Sequence, residues 1–267
     1  MNTPENSPLG HGKTVYPNKY DKSQLFPIAR PAGRPFFYGW DLWNAWEISW
    51  LNIKGKPMVA IGVLQVPCHS PNLIESKSIK LYLNSFNSER FDSITTVEDC
   101  IARDLTEAAG APVEEKLSLL DAFDPTISRW QGINLDNLDI EIHEDNFDPT
   151  LLKLMAASPL VSETLISDLL KSNCPVTGQP DWASLRISYT GPQLDRESVL
   201  RFILSFRNHN DFHEHCVEEI FAAVQKLSQP SMLTVEARYT RRGGIDINPL
   251  RTTVANTLPA NSRMIRQ

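Results

Sequence analysis

The 267-residue sequence is poor in cysteine, and the four it has, at 68, 100, 174 and 216, form no Cys-x-x-Cys pair. That spacing argues against a disulfide framework and against a structural zinc site. No apolar run is long enough to span a bilayer. The opening Met-Asn-Thr-Pro-Glu-Asn lacks a basic stretch followed by an apolar one, so no signal peptide is expected. Positive charge is also short. Lys and Arg number 26 against 32 Asp and Glu, a net charge of −6, which gives no general attraction to nucleic acid or to an anionic membrane. The expected setting is a reducing cytoplasm, where a reactive thiol persists. Two phosphate-binding signatures are missing as well. Gly12-Lys13-Thr14 imitates the end of a P-loop, but the first glycine would fall at Ser7 and no strand precedes it. No Gly-x-Gly-x-x-Gly follows a strand, so a dinucleotide would have to bind without a Rossmann unit.

What is present is enough for a large core, with 41% hydrophobic and 22% charged residues. Residues 1–35 are rich in Pro, Gly, Asn and Lys and read as an extended arm. Trp40–Asn52 and Met58–Val66 read as a β-hairpin about the Lys54-Gly55-Lys56 turn. Ser76–Asn87 is ambiguous in period. Thr96–Ala109 reads as a helix capped by Thr96, with Gly110 past its end. Glu115–Phe123 and Leu135–Ile142 read as two more strands. The second half repeats the order: strands at Leu165–Pro175 and Trp182–Thr190, helices at Asp195–Arg207 and Phe212–Leu227, strands at Met232–Arg241 and Asp246–Val254. Short matches support duplication: Glu98-Asp99-Cys100-Ile101 with Glu214-His215-Cys216-Val217, and Asn84-Ser85-Phe86 with Leu204-Ser205-Phe206. The expected organisation is an arm over 1–35 and two modules over 36–149 and 150–267, each ββααββ in an α+β fold.

Five segments carry unusual polar content. Cys174 lies seven residues before Asp181, with the turn formers Gly178 and Pro180 between them. A turn there would fold the carboxylate towards the thiol, and a thiolate nucleophile needs a proton partner; the plain alternative is a buried structural cysteine. Ile74-Glu75-Ser76-Lys77-Ser78-Ile79-Lys80 opens a helix with a carboxylate, hydroxyls and ammonium groups, and reads as a binding segment or as a well-capped first turn. Phe212-His213-Glu214 also starts a helix, where the dipole alone favours Glu214 and where an imidazole beside a carboxylate also offers a proton carrier to a ligand. Arg241-Arg242-Gly243-Gly244 suits close backbone approach to a phosphate, or is a charged hairpin tip. His209, His213 and His215 near Cys216 lack the pattern of a closed metal site, so no metal is expected.

Taken together these segments resemble the QueF nitrile reductases. Glu75-Ser76-Lys77-Ser78-Ile79-Lys80-Leu81-Tyr82-Leu83-Asn84-Ser85-Phe86-Asn87 is similar to that family's signature, and Ser172-Asn173-Cys174-Pro175 with Asp181-Trp182 to its catalytic segment. Phe212-His213-Glu214 and Arg241-Arg242-Gly243-Gly244-Ile245-Asp246-Ile247-Asn248-Pro249 complete the set, in the order of the long, two-module form. The resemblance implies NADPH-dependent reduction of 7-cyano-7-deazaguanine to its aminomethyl product in queuosine biosynthesis. It implies tandem tunnelling-fold (T-fold) modules with antiparallel sheets, a homodimer and no metal. It places Cys174 as the thioimide-forming nucleophile and Asp181 as the acid. Ile74, Glu75, Ser76, His213 and Glu214 would fall on the substrate, and Ser76, Lys77, Arg242 and Gly243 on NADPH. Two other readings stay open on the residues alone: another T-fold enzyme acting on a pterin or purine, such as a cyclohydrolase or pterin synthase, and a non-catalytic T-fold binding module.

Overall fold

The computed structural model of the chain describes residues 16–123, 126–143, 146–257 and 260–267; Gly12-Lys13-Thr14 and Glu144-Asp145 lie outside them. The chain forms two compact units. One takes in the described residues up to Ala32, Asp41–Thr126 and Arg241–Asp246; the other takes in Gly33–Trp40, Ile127–Thr240 and Ile247–Gln267. Each mixes helices with mainly antiparallel strands, the α+β class expected from the sequence.

In the first unit, β1 (Pro27–Ala29) precedes the long strands β2 (Tyr38–Leu51) and β3 (Pro57–Pro67). The turn between them is fixed by Asn52, whose side-chain oxygen accepts from the Lys54 and Lys56 amides at 2.9 and 3.0 Å. β4 (Asn72–Ile74) pairs antiparallel with β1. Helix α1 (Ser76–Asn84) resolves the ambiguous segment, because Glu75 accepts from the Lys77 and Ser78 amides and so removes two unpaired donors of the first turn. Helix α2 (Ile94–Ala109) buries Val97, Ile101 and Leu105, one face at four-residue spacing. Its cap is Ser93 and not Thr96: the Ser93 hydroxyl accepts from the Thr96 amide at 3.1 Å, so the helix starts earlier than expected. Gly110 ends it at φ +72°. β5 (Glu114–Leu119) is antiparallel to β3, which lies between β5 and β2.

The second unit opens with two-residue strands, β6 (Ile127–Ser128) and β7 (Ile133–Asn134). The strand expected over Leu135–Ile142 does not form. Leu135–Asn137 is a 3-10 turn, because the Asn134 side chain accepts from the Asp136 amide and the Asp136 carboxylate accepts from Ser167 Oγ and the Asp168 amide. Then come β8 (Leu160–Asn173), β9 (Pro180–Pro192), helices α3 (Arg196–Ser205) and α4 (His213–Ser228), β10 (Met232–Tyr239), β11 (Ile245–Thr252) and β12 (Arg263–Met264). The strand order is β11-β10-β9-β8-β7. Val217, Ile220, Phe221 and Val224 of α4 are fully buried, each stabilising the unit by roughly 1.5–3 kcal/mol of removed apolar surface.

The duplication is written in hydrogen bonds. Ser85 Oγ accepts from the Asp21 amide and donates to the Tyr82 carbonyl; Ser205 Oγ accepts from the Asp148 amide and donates to the Phe202 carbonyl. Ser78 Oγ accepts from the Phe26 amide at 3.0 Å, as Ser198 Oγ does from the Lys153 amide at 3.0 Å. Asp21 and Asp148 each cap a short 3-10 turn, and Glu75 and Asp195 cap α1 and α3. The repeated pattern therefore includes the chain segment just ahead of each set of strands.

Candidate active site

In the second unit, β8 and β9 form an antiparallel hairpin whose loop carries Cys174. The register pairs Ser172 with Asp181 and Asn173 with Pro180. Beyond them the Cys174 amide donates to the Gln179 carbonyl, and the Gly178 amide donates back to the Cys174 carbonyl, both at 2.9 Å. Gly178 sits at φ +67°, a conformation glycine adopts without the clash of a Cβ. The turn formers thus bring Asp181 opposite Ser172, two residues before Cys174. Cys174 is half-buried, whereas Asp181 is only 3% exposed.

Helix α4 supplies the next groups. His213 is its first residue, and His213 Nε2 lies 3.5 Å from Asp181 Oδ2. Glu214, one residue on, is buried. The segment leading into α4 is tied to the end of β8: the Asn173 amide donates to the His209 carbonyl at 2.8 Å and the Asp211 amide to the Asn173 carbonyl at 3.1 Å. Cys174, Asp181, His213 and Glu214 therefore share one framework of backbone bonds. His215 points elsewhere, to Asp211 Oδ1 at 2.9 Å from its Nδ1.

His209 does not join His213. It sits between Asp211 and Glu219, at 3.7 and 3.3 Å, and these carboxylates raise its pKa to about 9. One ligand-type atom from each of the three lies within 4.8 Å of the others. A protonated imidazole between two carboxylates accounts for that grouping.

In the first unit, Ile74 ends β4, and Glu75, Ser76 and Lys77 form the entry to α1. Glu75 is 2% exposed. Burial raises its pKa, against the Lys77 and Ser78 amides and the charges of Lys80 and Lys77. Its two oxygens each accept one amide bond, at 3.0 and 2.8 Å, which leaves each a further lone pair. Arg242 and Gly243 lie in a tight turn closed by reciprocal Arg242–Ile245 backbone bonds of 2.9 and 3.2 Å. Gly243 and Gly244 have φ +58° and +81°, the pair of positive values that a two-residue hairpin turn demands. The turn is fixed to β2: the Trp46 amide donates to the Gly244 carbonyl at 2.8 Å, the Trp46 indole donates to Asp246, and the Arg241 guanidinium lies 5.2 Å from the Trp46 ring centre.

A cleft of about 480 Å³ runs beside this turn, with Glu47, Lys80, Asn84, Gly243 and Gly244 on its walls. A Cβ on Gly243 would stand 3.2 Å from Lys80 Cδ, so the lysine stem covers the glycine face. The sequence signal for Lys80 is its spacing from Lys77, three residues along a helix.

A thiol in a hairpin loop, with a buried carboxylate and an imidazole in contact on adjoining elements, is the group set that nucleophilic cysteine chemistry uses. Residues 16–117 match the family described as nitrile reductase, 7-cyano-7-deazaguanine reductase N-terminal, and residues 180–257 match the QueF-like protein family. The NADPH-dependent 7-cyano-7-deazaguanine reductase of Polaromonas naphthalenivorans is 52% identical, with 100% of both chains covered. That of Burkholderia vietnamiensis is 50% identical, with 99% of both covered. The chain belongs to the QueF family of 7-cyano-7-deazaguanine reductases. The solved apo archaeosine synthase QueF-Like aligns at 20% identity and TM-score 0.32, over 38% of this chain and 99% of its own, a likeness too slight to bear on either fold or function.

Proposed function

We propose that the chain reduces the nitrile of 7-cyano-7-deazaguanine to the primary amine, through a thioimide on Cys174. The hairpin carries this reading: it seats Cys174 at the loop and the buried Asp181 opposite Ser172, two residues before Cys174, in contact with His213. The nitrile carbon is a weak electrophile. Addition of the Cys174 sulfur forms a C–S bond as the nitrile nitrogen takes a proton, for which Asp181 is the donor. After the first reduction the same C–S bond breaks and the thiolate leaves, so Cys174 is regenerated. NADPH, when bound, supplies the hydride, two per nitrile reduced. The first unit fits such an anion: Lys80 and the Gly243–Gly244 turn wall one cleft, with Ser76 and Lys77 on the first turn of α1.

On this reading Glu75 and Glu214 accept the ring and amino N–H groups of the deazaguanine. Ile74, Ser76 and His213 complete the substrate contacts, and Ser76, Lys77, Arg242 and Gly243 hold NADPH. We place the enzyme in the cytoplasm, as a homodimer that binds no nucleic acid. The four free cysteines and the net charge of −6 support the first and last of these.

The test is incubation with 7-cyano-7-deazaguanine in the absence of NADPH. The parent should gain one ligand mass and near-ultraviolet absorbance, and Cys174→Ala should gain neither. Asp181→Asn should lose on the order of 10²-fold in turnover, the scale of general acid–base catalysis. Retention of a tenth of parental reduction by Cys174→Ala would remove the covalent route.

A further inference from the structure

Tyr239 is the last residue of β10 and is 1% exposed. It pairs with Ala183 on β9, two residues from Asp181 and on the same face of that strand. Its ring centre lies 3.9 Å from that of His213, at 66° between planes. His213 is thus held between an aromatic ring and the Asp181 carboxylate. The Tyr239 hydroxyl is buried and interacts with Ser172 and Cys216, which are buried too. What meets His213 is the ring, while the hydroxyl engages Ser172 and Cys216.

The backbone of Tyr239 is itself clamped. Its carbonyl accepts from Gln267 Nε2 at 3.0 Å. The same amide donates to Asn248 Oδ1 at 2.7 Å, and Gln267 Oε1 accepts from the Met264 amide at 3.0 Å. Gln267 is 5% exposed. A glutamine this deep, with both amide hydrogens and its oxygen engaged, fixes β10 and β11 at the rung that carries Tyr239.

We propose that Tyr239 is a positioning residue, its ring forming a floor for His213 against Asp181, and that Gln267 holds that floor in place. The proposal rests on the assignment of Asp181 and His213 to the nitrile-adding site. An imidazole freed on one side samples more orientations, and adduct formation then waits on the productive one.

The experiment measures thioimide formation without NADPH, together with the Michaelis constant for NADPH and the thermal midpoint. Tyr239→Leu should slow adduct formation tenfold or more, with the NADPH constant unchanged. Tyr239→Phe keeps the ring and should restore the rate to within about threefold of the parent. Gln267→Ala should slow the adduct severalfold and stay folded should Tyr239→Leu fail to. A folded Tyr239→Leu that forms adduct at the parental rate overturns the proposal. So does a Tyr239→Phe as slow as Tyr239→Leu, since the hydroxyl would then be the active part, and so does a folded Gln267→Ala at the parental rate. Failure of the parent to form any adduct would instead defeat the nitrile-addition reading itself.

Discussion

Glu115 shows what burial does to a carboxyl with no partner. Both of its oxygens are buried without a hydrogen bond. Burial, then the charges of Glu98 and Asp99, raise its pKa to about 9, so the folded protein keeps the proton at neutral pH. Between the ordinary value of 4.5 and about 9 the unfolded chain ionises and the folded one does not. Folded protein then binds more protons than unfolded, and stability falls as pH rises through that window. Glu115→Gln removes the titrating group while keeping the shape. The variant should match the parent near pH 4 and exceed it increasingly towards pH 9, with a slope of at most about 1.4 kcal/mol per pH unit. Urea midpoints at several pH values read this directly; a constant difference across pH would place the effect elsewhere. At this scale the hairpin between Cys174 and Asp181 was legible, because Gly178 and Pro180 lie between them. The sequence was silent on Tyr239 and Gln267. Tyr239 acts through a neighbour remote in sequence, and a lone glutamine carries no pattern.

The Arg242–Ile245 turn is the element whose function is easiest to separate from its fold. The backbone closes it, and Trp46 and Asp246 anchor it, so removing the Arg242 side chain leaves those bonds in place. Loss of one charge-assisted contact costs about 1.5–3 kcal/mol. Arg242→Ala should therefore raise the NADPH Michaelis constant roughly tenfold to a hundredfold at about 1.4 kcal/mol per decade, while Cys174 adduct formation stays normal. The reverse outcome, a failed adduct with normal NADPH kinetics, would put Arg242 on the substrate side. Elements with a long apolar period or a turn signature were legible: the β2–β3 hairpin, α2, α3 and α4. Side-chain capping decided the rest. Glu75 turned an ambiguous segment into α1, Ser93 moved the start of α2, and Asn134 with Asp136 replaced a strand by a 3-10 turn. The Glu75, Ser93 and Asn134 bonds reach two or three residues and the Asp136 bonds reach across to Ser167 and Asp168, and periodicity sees neither kind.

At the scale of the whole molecule the repeat is the governing fact. Ser85 and Ser205 do the same work in the two units, each joining a helix end to the segment that precedes the strands. Ser85→Ala and Ser205→Ala should each cost about 0.5–1.5 kcal/mol, since a half-buried amide loses its acceptor. They share no partners, so the double variant should show the sum; equilibrium unfolding by urea measures all three, and a double loss well below the sum would show that the two hydroxyls support one common structure. The sequence revealed the repeat through two short matches and missed its opening segments, where Asp21 and Leu25 answer to Asp148 and Leu152 in a stretch too short to stand out.

Glu75 and Asp195 cap equivalent helices, but on the assignment proposed here only Glu75 also meets substrate. Duplication leaves a copy in reserve. On that assignment the carboxylate at one helix entrance serves both capping and recognition, while its twin serves capping alone. A helix entrance that already demands a carboxylate thus supplies a recognition group without any change of scaffold.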